Sequence, residues 1–189
     1  MKIIMLDMDG VVNSYIEQHA WLTAKWEELK PLFPDKEERQ QEVKKLFGKE
    51  FCNMTEFVCS KHAALITKIC EETDAKIVWS STWRNIEEYK NKMDFIRDMF
   101  NRRGLPGDRL IDVTPDLGAD HTLSIPRGHE IEMWMQDHPE VTKCAILDDR
   151  RDAGHTNTVK DRTKFFMTDD MYGITPDIAD AVIDYLNGE

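Results

Sequence analysis

No stretch of this chain approaches the roughly 20 consecutive apolar residues that a membrane-spanning helix needs. Its first apolar run, Ile3 to Leu6, stops at Asp7 and is too short to be the core of a secretory signal. Basic residues are the scarcer charge: 25 lysines and arginines stand against 36 aspartates and glutamates, a net charge of -11. So acidic a surface is unsuited to gripping a nucleic-acid backbone broadly, although a local basic pocket is compatible with it. Cysteines number only four. Cys70 and Cys144 sit in apolar segments and read as small buried hydrophobes. Cys52, Cys59 and His62 match no zinc-ligand spacing and lack a fourth partner. The expectation is a soluble protein of a reducing compartment, the cytoplasm. No repeat, low-complexity tract or linker divides the 189 residues, so one domain with its own core is expected, with room for a small insertion.

What is present is an alternation of short apolar runs and amphipathic stretches. Ile3–Leu6, Lys76–Trp79, Lys143–Leu147 and Lys164–Met167 read as strands, the first three as strands buried on both faces; Leu110–Val113 is a shorter candidate. Between them, Tyr15, His19, Leu22, Trp26 and Leu29 form one stripe of a helix that Asn13 is placed to cap and Pro31 and Pro34 end; Trp21 lies off the stripe. Asp35 and Glu38 resemble a capping box opening a second, highly charged helix. A third is expected from about Asn53, burying Val58, Leu65, Ile66, Ile69 and Cys70. Residues 85–103 read as helical, and Gly104, Pro106 and Gly107 break the chain there. Residues 114–126 form a polar connection; a helix with Ile131, Trp134 and Met135 follows from Gly128, and Ile178, Val182, Ile183 and Leu186 mark a last one. Strands alternating with helices predict an α/β fold with a mainly parallel sheet, in which residues 14–56 are a helical insertion over one end.

Three of the apolar runs end in polar clusters: Asp7/Asp9, Ser80/Ser81 and Asp148/Asp149. Parallel strands would bring these together at their carboxyl ends, where ligands bind in such sheets. Two acidic clusters there repel unless a cation lies between them, and carboxylate oxygens suit Mg²⁺. Asp7 and Asp9 point to one side of an extended chain, so one can attack an electrophile while the other handles a proton. Ser80 and Ser81 offer hydroxyls and N–H groups to an anion. Arg127 opens a helix, where the macrodipole disfavours a cation unless an anion is near. Arg84, Arg150 and Arg151 add positive potential. Each cluster alone also has an ordinary reading: strand-ending turns for the aspartates, helix capping for the serines, a solvated side chain for Arg127, packing for Trp83.

Taken together, IIMLDMDGV, IVWSS, Arg127 and AILDD resemble the four motifs of the haloacid dehalogenase (HAD) superfamily, in the family's order and over nearly the whole chain. SSTWR, the VTP at 113–115, RGHEIEMW and LDDRRD resemble the HAD branch associated with Swiss Army Knife RNA-repair proteins, and IVWSSTWR and ILDDR are similar to phage polynucleotide 3′-phosphatase domains. The resemblance implies a three-layer Rossmann-like core, residues 1–13 and 57–189, with a small cap at 14–56. It implies a Mg²⁺-dependent phosphomonoesterase in which Asp7 is the nucleophile and Asp9 the acid and base. Asp7, the Asp9 carbonyl and Asp149, or else Asp148, would hold the metal. Ser80, with Ser81 and Arg84 beside it, would bind the phosphoryl group, and Arg127 would neutralise charge. Lys143, the other basic candidate, lies at the far end of its strand. The expected substrate is a small phosphorylated molecule, a nucleotide or a phosphorylated nucleic-acid end, with Arg84 and Trp21 as candidate contacts. Sugar phosphates, or a binding role on an inactive scaffold, are the alternatives.

Overall fold

Ile3, Ile4, Met5 and Leu6 are all fully buried, as a strand covered on both faces requires. They belong to β1 (Lys2–Leu6). A computed structural model describes residues 1–46, 58–85, 89, 92–118 and 125–188. After β1 come α1 (Tyr15–Leu29), α2 (Lys36–Leu46), α3 (Ser60–Thr73), β2 (Lys76–Trp79), α4 (Met93–Arg102), β3 (Leu110–Val113), α5 (Arg127–Asp137), β4 (Lys143–Asp148), β5 (Thr163–Met167) and α6 (Pro176–Asn187).

The five strands form one sheet in the order β3-β2-β1-β4-β5, and every pairing is parallel. β1 is central: Leu6 lies beside Trp79 of β2 and Leu147 of β4. The chain leaves β1 toward one side and later returns to the other, which makes the carboxyl end of β1 a topological switch point. Alternate residues serve opposite faces. Ile4, Leu6, Ile77, Trp79, Ala145 and Leu147 pack with residues of α3, α4 and α6, while Ile3, Met5, Val78, Cys144 and Ile146 pack with Ile131, Trp134 and Met135 of α5. This is the expected three-layer, Rossmann-like α/β architecture.

Several local expectations change. The half-buried stripe of α1 carries Trp21, Leu22, Trp26 and Leu29, so Trp21 lies on it, while Tyr15 and His19 fall outside it and are exposed. A spacing of four and three residues fits neighbouring stripes of one helix, and the partners of α1 decide between them. No residue of α1 is buried. Its first turn is tied to the loop after β5, where Tyr15 N–H donates to Asp170 O at 2.9 Å and Ile16 N–H to Met171 O at 3.2 Å. Ser14 occupies the α1 cap position without a side-chain bond, and Asn13 is used elsewhere. Asp35 does cap α2, accepting from the Glu37 and Glu38 N–H groups at 2.8 and 2.9 Å. α3 begins at Ser60; Asn53, Glu56 and Cys52 lie outside the described residues. In place of a helix over 85–103, a short 3₁₀ turn spans Thr82–Asn85 and α4 covers Met93–Arg102; most of what lies between is outside the described residues.

Candidate active site

The sheet ladder runs one residue beyond the apolar runs and so pins the polar ones. Asp7 N–H donates to Leu147 O at 3.0 Å, Ser80 N–H to Leu6 O at 2.8 Å, Thr114 N–H to Trp79 O at 3.0 Å and Thr168 N–H to Asp148 O at 3.1 Å. The carboxyl edge of the sheet therefore carries Asp7 in the middle, Ser80 and Thr114 to one side, and Asp148 and Thr168 to the other.

Asp7, Asp148 and Asp149 each bring a carboxylate oxygen within 4.8 Å of the others. Burial raises the Asp7 carboxyl above the ordinary aspartate range, with Arg127 and the Ser81 hydroxyl pulling it back in part. Asp148 is raised by burial and then by the charge of Asp7, and Asp149 by burial first. Such a group resists carrying its full negative charge unaided. Asp148 Oδ2, Ser80 Oγ, Thr114 Oγ1, Thr168 Oγ1 and Arg127 Nε are buried without a hydrogen-bond partner. Buried polar atoms are normally satisfied, so this row marks where a ligand would complete the structure. The groups here that could ligate a metal are carboxylate oxygens, hard donors that fit Mg²⁺.

Gly10 makes the arrangement possible. Its φ is +68°, and a Cβ there would lie 2.7 Å from three side-chain atoms of Asp149. Only glycine combines that turn with so close an approach. Asp9 stands apart from the three-carboxylate group. It is exposed, and its side chain is held by two donors: Asn13 Nδ2–H at 2.7 Å on Oδ1 and Trp83 Nε1–H at 2.8 Å on Oδ2. Asn13 Oδ1 in turn accepts from Gly10 N–H at 3.1 Å. Trp83 is buried, as its packing reading required, but its polar end reaches the site.

Arg127 is the first residue of α5 and is 3% exposed, so it is not a solvated arginine. Its Nη1 donates to Glu130 Oε2 at 2.9 Å, its Nε lies 4.0 Å from Asp148 Oδ2, and its backbone N–H donates to Asp152 Oδ2 at 2.9 Å. The protein itself thus supplies anions that offset the dipole penalty. Arg84 is also buried. It donates to Glu130 Oε2 at 2.6 Å, Ser81 O at 2.6 Å and Pro115 O at 3.2 Å, and only its Nε lacks a partner. One carboxylate therefore holds two guanidinium groups. Ser81 hydroxyl interacts with Asp7, whereas Ser80 hydroxyl is the one left open.

Lys143 lies at the opposite end of β4, bonded to Tyr185 O at 3.0 Å and to Gly188 O. Arg150 pairs with Asp152 at 2.9 Å. Cys59, Cys70 and Cys144 are free and buried. Asn13, Trp83, Glu130 and Asp152 were not among the expected site residues. Glu130 alone carried a local signal, three residues from Arg127 on one helix face.

Beside the site, a cleft of about 860 Å³ is lined by Arg84, Thr114, Tyr89, Met93, Trp134 and His138, among others. Trp134 and His138 stack with centroids 3.7 Å apart, and Trp134 Nε1–H donates to Asp112 Oδ2 at 2.7 Å.

The family model for the HAD domain in Swiss Army Knife RNA repair proteins matches residues 3–179. The chain belongs to this family, whose domains are generally hydrolases of phosphatase type. No curated protein and no solved structure matches it. Among the described residues, no helix is long and apolar enough to cross a membrane.

Proposed function

We propose that this protein is a Mg²⁺-dependent phosphomonoesterase acting through an aspartyl-phosphate, on a nucleotide or a phosphorylated nucleic-acid end. The observation that carries the reading is the convergence of Asp7, Asp148 and Asp149 with the unpartnered Ser80 hydroxyl and Arg127 Nε at one sheet edge. An Asp7 oxygen attacks phosphorus, the bond to the leaving oxygen breaks, and Asp9 delivers a proton to that oxygen. Asp9 then takes a proton from water; the water oxygen attacks phosphorus, and the bond to Asp7 breaks to release phosphate and restore the carboxylate. Asp7, Asp149, Asp148 and the Asp9 carbonyl would hold Mg²⁺, which supplies neutralisation of charge at the phosphoryl oxygens. Ser80 Oγ–H and Arg127 Nε–H donate to those oxygens, pre-aimed before reaction. Ser81 orients Asp7. Arg84 serves chiefly by fixing Glu130 and hence Arg127, since most of its donors are already committed.

The nucleotide assignment rests on family membership and on the cleft. Its aromatic walls suit a base, and pockets of its size hold ligands of that class. Cleft residues Asp112, Asp116 and Asp137 outnumber Arg84 and Lys92, which favours a nucleoside over a long phosphodiester strand. We read the insertion at 14–56 as a partial cap; among its described residues, α1 buries none of its side chains fully, and its first turn is tied to the loop after β5.

The test is phosphate release, with and without Mg²⁺, from 5′- and 3′-mononucleotides, end-phosphorylated oligonucleotides and sugar phosphates, with Asp7→Asn as control. Mg²⁺-dependent turnover of one nucleotide class, absent in the variant, is expected. Turnover confined to sugar phosphates would overturn the substrate, and no turnover by protein shown to bind Mg²⁺ would overturn the activity.

A further inference from the structure

Asp9 is assigned two proton transfers, yet it is the one carboxylate of the site that is exposed. An exposed aspartate ordinarily samples several rotamers, and a cation held by Asp7, Asp148 and Asp149 would offer this one an alternative place to bind. Two contacts oppose that. Trp83 Nε1–H donates to Oδ2 at 2.8 Å from 74 positions away, and Asn13 Nδ2–H donates to Oδ1 at 2.7 Å. Each oxygen thus has its own donor, which sets both the direction and the plane of the carboxylate.

The two donors are anchored independently. Asn13 is buried and is locked through its Oδ1 to the Gly10 N–H at 3.1 Å. Trp83 is 3% exposed, lies within the core packed by α3 and α4, and sits in the 3₁₀ turn that begins two residues after Ser80. Its backbone N–H points to Ser81 Oγ at 3.4 Å. The end of β2 that presents the Ser80 hydroxyl therefore also presents the indole, three residues on, so β2 sets the proposed phosphate donor and the Asp9 side chain in one frame.

We infer that Trp83 is a positioning residue: its indole N–H, together with Asn13, holds the Asp9 carboxylate apart from the Asp7/Asp148/Asp149 group and facing the leaving oxygen. This rests on the acid–base role proposed for Asp9. Trp83→Phe keeps most of the packing and removes the donor.

Two measurements test it. The first needs no activity. Of the five tryptophan indole N–H signals in a ¹⁵N-labelled sample, the one lost in Trp83→Phe belongs to Trp83. In Asp9→Ala that signal moves upfield while the other four stay; if it does not move, the contact does not exist and the inference falls. The second compares turnover of phenyl phosphate, whose leaving group needs a proton, with p-nitrophenyl phosphate, whose leaving group does not. The ratio of the two rates cancels any loss of folded protein. Trp83→Phe is expected to slow phenyl phosphate about tenfold more than p-nitrophenyl phosphate, a part of the ~100-fold or more that general acid catalysis contributes. An equal loss on both substrates would make Trp83 merely structural. If Asp9→Asn itself leaves the ratio unchanged, the acid role of Asp9 is wrong; if Asp9→Asn shifts it and Trp83→Phe does not, only the positioning role is wrong.

Discussion

At the carboxyl edge of the sheet, charged residues are buried and held: Arg127 by Glu130 on its guanidinium and by Asp152 on its backbone N–H, Arg84 by Glu130 and two carbonyls on its guanidinium. Along α1, none of the 15 residues is buried, and ion pairs such as Lys25–Glu28 and Lys30–Glu27 stand in solvent. Both regions are rich in charge. The difference is what surrounds it. In water an ion pair gains little, because solvent already satisfies both partners. At the sheet edge each removed partner leaves another charge stranded, so the edge is intolerant of change, as the phosphoryl chemistry proposed for it requires.

The sharpest way to break this contrast is at Asp7. Asp7→Asn should lower phosphate release on the order of 10³-fold or more while leaving the far-UV spectrum and unfolding midpoint near the parent values. Next is Glu130→Ala, which strands two buried guanidinium groups. Urea unfolding should show a loss of about 3–5 kcal/mol; a loss under about 1 kcal/mol would mean that solvent reaches the pair. Gly10→Ala forces a residue with a Cβ to a φ of +68° and against Asp149. It should cost more than about 1 kcal/mol and weaken Mg²⁺ binding by calorimetry. Lys25→Ala on α1 should change stability by less than about 0.5 kcal/mol and leave turnover intact.

A pH titration sharpens the boundary between the two regions. His62 is buried on α3 beside Gly173, and burial lowers its pKa below the ordinary 6.5. The unfolded chain therefore binds a proton that the folded chain refuses. The resulting stability is fully present above about pH 6.5 and is lost as the pH falls from there through the lower folded value. Unfolding of His62→Gln should lose that part of the dependence.

The three central strands are legible because burial on both faces leaves continuous apolar runs, and in a parallel sheet their polar ends must gather. Asp7, Ser80, Asp148 and Asp149 therefore fall at one edge on the sequence pattern alone. It could not show what holds them. Trp83 reaches Asp9 across 74 positions and Arg84 reaches Glu130 across 46, and no local periodicity records contacts of that separation. At the start of a helix Arg127 points either to a nearby anion or to solvent, and no local pattern tells that Asp152, from a different segment, supplies an anion. The α1 stripe is legible at Leu22, Trp26 and Leu29 but not at its start, where Tyr15 and His19 are exposed and Trp21 is half-buried: where no face is deeply buried, the pattern alone does not select one.

The central claim is that Asp7 carries the phosphoryl group. The direct measurement is an acid quench during turnover of p-nitrophenyl phosphate with Mg²⁺, followed by mass spectrometry of the peptide containing Asp7. The account predicts a phosphorylated Asp7, absent without Mg²⁺ and in Asp7→Asn. Full-rate phosphate release with no phosphoryl group on Asp7, or undiminished release by Asp7→Asn, would contradict it.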